Sequence, residues 1–253
     1  MHMSDNRSSE LEAEHTAEAI AKRLAAANTR SYLGDVVLGA VDGTVTTFAV
    51  VCAVAGAGLS TGVAIVLGLA NILADGFSMA VSNYLRADSD RQLVARARKT
   101  EERHIAEHPE GEREEIRQIF RAKGFAGELL EETVRTLTAD QERWIDTMIT
   151  EELGLQLVPA SPARAAWATF IAFMAAGLVP LFPLFFSSLI EERAIFLASA
   201  VGTAATFIII GIFKGRVAQR PILGSALETL GIGGIAAILA YLAGISLKGL
   251  INI

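Results

Sequence analysis

Four polar side chains follow one another at regular intervals in an otherwise apolar stretch of the chain. In "NILADGFSMAVSNYL", residues 71–85, Asn71, Asp75 and Met79 are spaced four apart, and Asn83 continues the series. In an α-helix this spacing stacks side chains along one face. Because amide oxygens, carboxylates and thioethers can all bind metal ions, the stretch predicts one wall of a hydrophilic path.

Two further carboxylates, Asp42 and Glu228, also stand in apolar segments. A carboxylate inside a bilayer is costly, and by default it marks a path for ions or protons. At about 1.5 Å per helical residue, both fall at depths that overlap those of Asp75 and Met79, in the cytosolic half of the membrane. We therefore expect three helices to direct these carboxylates and the thioether at one cavity, with a preference for Fe²⁺ over Mg²⁺ or Ca²⁺. The alternatives are interhelical hydrogen bonds for Asp42 and Asp75, packing for Met79 and a Glu228 side chain that reaches the membrane surface.

Five segments are long enough to cross a bilayer, which takes about 20 apolar residues. They are Val36–Ala57, Thr61–Leu85, Ala165–Ile190, Ala194–Phe213 and Ile222–Leu247. The composition, with 52% hydrophobic residues and a mean hydropathy of +0.42, is too apolar for an ordinary soluble domain. The sequence thus predicts an all-α membrane protein with five transmembrane helices, and buried helices of a soluble protein are the disfavoured alternative.

The distribution of lysine and arginine predicts the orientation of these spans. Basic residues precede the first span, follow the second and join the fourth to the fifth, whereas the opposite side has only Arg193 and Lys248. The N-terminus and the segment between spans two and three are therefore predicted to be cytosolic, and the C-terminus outside. Short termini without a visible targeting signal suit a prokaryotic plasma membrane. A net charge of −6, without a strongly basic stretch, argues against nucleic acid as a partner.

The pattern of polar and apolar residues divides the chain into four regions, namely residues 1–34, 35–85, 86–164 and 165–253. The first is a cytosolic segment in which residues 10–28 have the periodicity of an amphipathic helix, in solvent or at the membrane surface. The second holds spans one and two, and the fourth holds spans three to five. The third is the one sizeable water-soluble piece, a helical insert predicted to bind metal.

The insert has helical patterning throughout and few Gly or Pro residues. We expect the second span to continue to about His108 and to break at Pro109. Three helices should follow, near 112–123, 127–138 and 140–153. Because the insert is too small to bury a large core alone, we expect it to pair with a second copy or to dock on the membrane domain.

Closely spaced acidic and imidazole side chains occur early in the insert, in "EERHIAEHPEGEREE", residues 101–115. Glu101 and His104 are three apart, as are Glu112 and Glu115, so each pair shares a helix face. The Pro-Glu-Gly sequence between them permits a turn that brings the two faces together. Two residues near the end of the insert add a further contribution, Met148 and Glu152. The alternative is a solvated hairpin of charged helices, since charge runs usually form surface.

These segments resemble the vacuolar iron transporter family. The resemblance rests on "YLGDVVLGAVDGTVTTFAVV", on "GLANILADGFSMAVSNYL" and on an insert that begins "EERHIAEHPEGEREE" and closes "WIDTMITEELGL". It implies a homodimer with five spans that moves Fe²⁺, and often Mn²⁺, out of the cytosol in exchange for protons. Fe²⁺ is then cargo and ligand, and no prosthetic group is implied.

The resemblance also implies roles for individual residues. Asp42 and Met79 align with an aspartate and a methionine that line the translocation path, and Asp35 aligns with an aspartate at its cytosolic mouth. In the insert, the family's metal-binding glutamates and methionine fall on Glu101, Glu112, Glu115, Glu152 and Met148. Two positions depart from the family pattern, because His104 replaces a glutamate and Ile149 a second methionine. Imidazole still binds Fe²⁺, so the site is predicted to survive with altered pH dependence.

The sequence therefore predicts a transporter that exchanges a divalent metal ion for protons, with lipid and a second copy of the chain as further partners. Metal-binding carboxylates must be deprotonated, so a site that accepts either cation gives antiport when access alternates. Asp42 or Glu228 is the expected proton carrier, and the expected path is lined by Asp35, Asp42, Asn71, Asp75, Met79 and Glu228. The alternative is a membrane-anchored iron sensor or buffer. A di-iron membrane enzyme, which needs paired Glu-x-x-His motifs on facing helices, is disfavoured.

Overall fold

The computed structural model of the protein describes residues 13–27, 31–217 and 219–251. Within those ranges the regular structure is helical and no strand occurs, so the predicted all-α class is confirmed. The helices in chain order are α1 (Ala17–Ala27), α2 (Leu33–Ala57), α3 (Thr61–Glu107), α4 (Pro109–Ala122), α5 (Gly127–Thr138), α6 (Gln141–Thr147), α7 (Pro162–Leu181), α8 (Glu192–Val217) and α9 (Ile222–Ile251).

Five helices are long and apolar enough to cross a membrane, as predicted. They are Leu33–Ala57, Thr61–Glu107, Pro162–Phe186, Glu192–Arg216 and Ile222–Gly249. Several of their ends lie beyond the predicted spans, whereas α2 ends at Ala57 as predicted. Gly58, the residue after it, adopts the left-handed φ of 70° and returns its N–H to the carbonyl of Ala55 at 3.1 Å.

The chain divides into two compact units. The insert unit contains Ala87–Ala160 and the described residues up to Ser31, and the span unit contains Tyr32–Arg86 and Ser161–Ile253. These boundaries lie close to the predicted regions. The predicted helix over residues 10–28 lies partly outside the described residues; within them, α1 begins at Ala17, where the Thr16 hydroxyl accepts a hydrogen bond from the Ala19 N–H at 3.3 Å.

The helices of the insert follow the predicted order with one correction. α3 continues to Glu107, and the break falls on His108, whose φ of −136° and ψ of 55° leave the helical range. Pro109 was expected to begin a turn, but it begins α4, since the first position of a helix needs no N–H donor. The predicted third insert helix is α6, continued by one π-helical turn, Met148–Glu152.

The insert unit has an apolar core of its own. The core joins α4, α5 and the helix that begins at Gln141, and its buried members are Ile116, Leu130, Val134, Trp144 and Met148. A smaller patch of Ala97, Ile145 and Ile149 joins α3 to the same third helix. Apolar residues at helical spacing therefore fix the rotation of α3, α4 and α6 about their axes, and with it the direction of their polar side chains.

In the span unit, α2 meets α7 with almost no side chain between the two backbones. A Cβ atom at Gly39 would lie 2.3 Å from the carbonyl oxygen of Thr169, and one at Gly43 would lie 2.4 Å from that of Phe173. Distances this short admit only glycine, the residue that lets membrane helices approach closely.

The same helix meets α9 in the same way further along. A Cβ atom at Gly56 would lie 2.4 Å from the carbonyl oxygen of Tyr241, and one at Gly244 would lie 2.2 Å from that of Ala53. α2 is therefore held between α7 and α9 by contacts of main chain on main chain.

Two prolines end the regular part of the third span. α7 stops at Leu181 and is followed by a 3₁₀ turn, Phe182–Phe186. Pro183 has no N–H to offer the carbonyl of Val179, four residues earlier, so the α-helical hydrogen-bond ladder is interrupted as predicted. The next carbonyl, that of Pro180, accepts a hydrogen bond from the Ser199 hydroxyl of α8 at 2.7 Å.

We expect Gly39→Ala to lower the thermal stability of the protein. The added methyl group would overlap the Thr169 carbonyl and force α2 and α7 apart, at a cost on the order of 1–3 kcal/mol. Melting of the purified protein in detergent, followed by size-exclusion chromatography, measures the effect. Gly34→Ala on the same helix is the matched control, because among the described residues nothing lies within 4 Å of its Cβ position. Equal melting temperatures for Gly39→Ala and the wild type would contradict the close packing.

Candidate functional site

Two glutamates and a histidine meet where α3 and α4 face each other. One carboxylate oxygen each of Glu101 and Glu112 and one ring nitrogen of His104 lie within 4.8 Å of one another. His104 Nδ1 is 3.3 Å from Glu112 Oε1. The three-residue spacing places Glu101 and His104 on one face of α3, and the break at His108 lets α4 bring Glu112 to that face. The two predicted pairs are thus brought together.

Two further carboxylates act on these three groups. The charge of Glu115 raises the pKa of Glu101, of Glu112 and of Glu152. The charge of Glu152 raises the pKa of Glu112, and the charge of Glu101 raises the pKa of Glu152. Glu152 belongs to the π-helical turn, which contains one more residue than an α-helical turn and so changes the direction of the side chains at its end. The five residues that act on one another in this way are called the insert cluster: Glu101, His104, Glu112, Glu115 and Glu152.

Burial makes the negative charge of the insert cluster costly. Glu101 and Glu112 are each 4% exposed, and the Oε2 atom of each has no hydrogen-bond partner within the described part of the chain. Burial, followed by the charges of Glu115 and Glu101, raises the pKa of Glu112 to about 7. Burial also raises the pKa of Glu101 and of Glu152. Added positive charge, from protons or from a metal ion, stabilises such a group of carboxylates.

The Met148 side chain lies in different surroundings from those glutamates. It is fully buried and packs with Ile116 and Trp144 in the apolar core of the insert unit. Ile149, where the family pattern has a second methionine, packs with Ala97 and Ile145. The contacts of Met148 are those of a core residue, and its role as a metal ligand stays a prediction.

Two carboxylates of the span unit, one on α2 and one on α3, lie within range of each other's charge. Asp75 is the charged group that acts on the carboxylate of Asp42, and both side chains are partly buried. Beside them, Asn71 Nδ2 donates to Thr46 Oγ1 at 3.2 Å, and the Thr46 hydroxyl donates to the carbonyl of Asp42 at 2.9 Å. We call Asp42, Thr46, Asn71 and Asp75 the span cluster. Thr46 was not predicted, although its position four residues after Asp42 is the signal that places both on one helix face.

Met79 and Glu228 do not share these polar contacts. Met79 is partly buried and packs against the apolar core of the span unit, which includes Ile72 and Phe173. Glu228 lies 3.3 Å from Lys214 Nζ, and its side chain is 50% exposed. The last turn of α8 thus offers Glu228 a cation, and the expected meeting of Glu228 with Asp42 stays a prediction. The roles of Met79 and Glu228 in a path stay predictions.

Asp35 lies in a polar network centred on Asn83, which is 6% exposed. Asn83 Nδ2 donates to three oxygens: Asp35 Oδ1 on α2 at 3.0 Å, Thr169 Oγ1 on α7 at 2.7 Å and the carbonyl of Ala165 at 3.1 Å. Arg86 binds the amide oxygen of Asn83 from the other side. We call Asp35, Asn83, Arg86 and Thr169 the Asn83 clamp. The sequence places Asn83 in the polar series of α3 but predicts no role for Arg86 or Thr169, because the contacts that join this network to α2 and α7 are between residues distant along the chain.

Apolar helices that carry carboxylates within range of each other's charge, together with a cluster of two buried glutamates and a partly exposed histidine, define an integral membrane protein with candidate metal sites. The chain belongs to the VIT family, whose family model matches residues 33–245. It is 31% identical to vacuolar iron transporter 1 of Eucalyptus grandis over 208 residues, which cover 82% of this chain and 83% of that protein. The resemblance inferred from the sequence motifs is therefore confirmed.

Other relatives match to a similar degree. The chain is 32% identical to vacuolar iron transporter 2 of Oryza sativa subsp. japonica over 209 residues, which cover 82% of this chain and 84% of that protein. It is 33% identical to the vacuolar iron transporter of Toxoplasma gondii over 224 residues, which cover 85% of this chain and 74% of that protein. The likeness thus extends over most of each chain.

We expect the metal-free protein to lose stability as the pH rises from about 4.5 to about 7. The pKa of Glu112 is about 7 in the folded protein, above the ordinary value of 4.5, so the folded state holds this proton more tightly than the unfolded chain does. The stabilisation is complete below pH 4.5 and is lost as the pH passes 7. Thermal melting of the full chain with a chelator present, over this pH range, measures the slope.

Glu112→Gln should reduce that slope, because the substituted side chain carries no titratable proton. The matched control is Glu132→Gln, which removes an exposed carboxylate from α5 and should leave the slope unchanged. A Glu112→Gln profile as steep as that of the wild type would contradict the pKa assigned to Glu112.

Proposed function

We propose that the protein transports divalent metal ions across the membrane, carrying Fe²⁺ out of the cytosol in exchange for protons, with Mn²⁺ as a second cargo. The observation that carries this proposal is that the charge of Asp75 acts on Asp42, although the two carboxylates come from two different apolar helices. Carboxylates in such helices are costly, and where they occur they mark ion and proton pathways. The names of the relatives, which are vacuolar iron transporters, support iron as the cargo.

The span cluster offers ligands that suit this cargo. The Asn71 Nδ2 donates to the Thr46 hydroxyl. The amide oxygen of Asn71, on the other side of the amide group, is thereby left to bind a cation. The Thr46 hydroxyl donates to the main-chain carbonyl of Asp42, so the orientations of the hydroxyl and of the Asn71 amide are fixed. With two carboxylates, the ligands are oxygen atoms, and Met79, one turn beyond Asp75 on α3, would add a softer sulfur.

Proton exchange follows from the charge of that cluster. Two carboxylates close together among apolar helices need positive charge, which one divalent ion or two protons can supply. Because the same oxygens bind either cation, binding of one releases the other, and alternating access turns this competition into antiport. Asp42 and Asp75 are the proposed proton carriers, and Glu228 is the less favoured candidate because Lys214 already balances its charge.

The insert cluster has the proposed role of collecting the metal ion before transport. Three ligand atoms, from Glu101, His104 and Glu112, lie within 4.8 Å of one another. Glutamate oxygens together with an imidazole nitrogen suit Fe²⁺. Since Glu112 titrates near pH 7, the occupancy of this site would follow the pH of the surrounding solution.

The topology belongs to the proposal as well. The distribution of basic residues supports a cytosolic insert, and the family resemblance supports a homodimer. The relatives are named for vacuoles, so they lend no support to the predicted prokaryotic plasma membrane. The membrane that hosts this protein stays a prediction.

We expect Asp42→Asn to reduce proton-driven Fe²⁺ flux by at least about tenfold, since loss of a charged ligand or of its direct partner has effects of this size. The measurement is Fe²⁺ uptake into proteoliposomes under an imposed pH gradient, with Mn²⁺ in parallel. Asp88→Asn, which changes an aspartate on the insert side of α3, is the matched control and should transport like the wild type. Undiminished flux in Asp42→Asn would refute the assignment of Asp42 to the path.

A membrane-anchored sensor or buffer is the second candidate function, and the compact insert cluster favours it. Glu101→Gln combined with Glu112→Gln should abolish metal binding to the insert under either function. If the protein is a transporter, this double variant should still carry Fe²⁺ at saturating concentrations, with a higher half-saturating concentration. If wild-type protein binds metal ions but gives no flux at any pH gradient, the sensor replaces the transporter.

A further inference from the structure

Arg86 and Asp35 form an ion pair whose geometry is set by a third residue. Arg86 Nε and Nη2 donate to Asn83 Oδ1 at 3.0 and 2.8 Å, whereas Arg86 Nη2 lies 3.4 Å from Asp35 Oδ1. The guanidinium is therefore bound in a bidentate manner by the amide and only loosely by the carboxylate. Asn83 holds the cation beside Asp35 without placing it in tight contact.

The two charges also differ in their access to solvent. The side chain of Asp35 is 12% exposed, and that of Arg86 is 45% exposed. The contact from Arg86 falls on Asp35 Oδ1, the oxygen that also accepts the hydrogen bond from Asn83. Asp35 is therefore a sheltered carboxylate whose balancing charge reaches it from the solvent side.

We propose that Arg86 is a tethered counter-cation that an incoming metal ion must displace to reach Asp35, and that Asn83 is the positioning residue that holds it there. This inference rests on the proposed function and on the family resemblance, which implies that Asp35 lies at the mouth of the path. It goes beyond that function because it assigns control of ion entry at the mouth to a side chain of the protein itself.

The competition between the guanidinium and an incoming ion depends on charge and distance. A small divalent ion binds carboxylate oxygen at about 2.1 Å, so its attraction to Asp35 exceeds that of one charge at 3.4 Å by about threefold at equal dielectric. A monovalent ion at the same short distance exceeds it by only about one and a half times. Displacement of Arg86 costs the same free energy whichever ion enters, so the tethered cation raises the concentration that every cation needs to occupy Asp35, and the more strongly attracted divalent ion reaches that occupancy first.

The hydrogen bonds from Arg86 to Asn83 also return the guanidinium to Asp35 after a metal ion has left. When Arg86 leaves Asp35, its bidentate hydrogen bonds to Asn83 remain possible, because they involve a different oxygen. Asn83 in turn is held to α7 through Thr169 and Ala165. The guanidinium therefore stays near Asp35 and returns to it when the metal ion moves on.

The test measures Mn²⁺ binding to the purified full-length protein by electron paramagnetic resonance of the free ion, with Arg86→Gln as the main variant. Glutamine keeps a donor for Asn83 Oδ1 but removes the competing charge. We expect a roughly two- to fivefold gain in Mn²⁺ affinity, the range typical of a partly exposed charge pair. Arg86→Lys, which keeps the charge, should remain close to the wild type, and Arg91→Gln on the same helix should change nothing.

A double-mutant cycle with Asp35→Asn separates this effect from binding elsewhere, including binding to the insert cluster. In the Asp35→Asn background, Arg86→Gln should produce no gain in Mn²⁺ affinity. An unchanged or lower affinity in Arg86→Gln alone, or an equal gain with and without Asp35, would overturn the proposal. If Arg86→Gln is not monodisperse, Arg86→Met supplies the same neutralisation and is judged by the same criteria.

Transport itself is decided by a separate measurement. Wild-type protein without Fe²⁺ flux, but with an Asp35-dependent gain of Mn²⁺ affinity in Arg86→Gln, would refute the transporter and support the tethered cation. Normal flux without that gain would support the transporter and refute the tethered cation.

Discussion

Charge among apolar helices must be balanced close at hand, and this constraint explains the ion pairs of the span unit. Asp35 is balanced by Arg86 through Asn83, and Glu228 is balanced by Lys214. The span cluster differs from both, because the charged group that acts on Asp42 is a second carboxylate, Asp75. A site built in this way is most stable when positive charge enters it, which is the property that a cation path requires.

The same contrast separates two kinds of carboxylate in the insert unit. On its surface, Arg117 binds both Glu114 and Glu131, and Arg98 binds Asp146. These pairs are exposed and contribute little to stability, but each carboxylate has an arginine. The insert cluster has four carboxylates and one imidazole, with two of the carboxylates buried. Its acids therefore outnumber its bases, which supports the proposed metal site.

How much of this arrangement the sequence predicts depends on the range of the contacts involved. Glu101 and His104 lie on one helix face, as do Glu112 and Glu115, so their grouping follows from helical periodicity and one turn. The partners of Asn83 and Glu228 come from other helices, and their identity depends on how each helix is rotated about its axis. In apolar spans the residues facing lipid resemble those facing protein, so hydrophobic patterning does not reveal that rotation. Met148 illustrates the same limit, because its spacing from Glu152 does not show that its side chain enters the core.

The glycine contacts of α2 have a mechanical consequence. Where two helices touch through side chains, a change of rotamer can absorb a small shift of one helix against the other. Where they touch main chain on main chain, no side-chain torsion is available to absorb that shift. We therefore expect α2, α7 and α9 to move as one rigid body, held together by the main-chain contacts at Gly39, Gly43, Gly56 and Gly244. Gly76 of α3, in contrast, faces the ring of Phe173, and Gly68 faces the side chain of Leu181. The wall that carries Asp42 is the rigid one, and the wall that carries Asp75 rests on contacts that can slide.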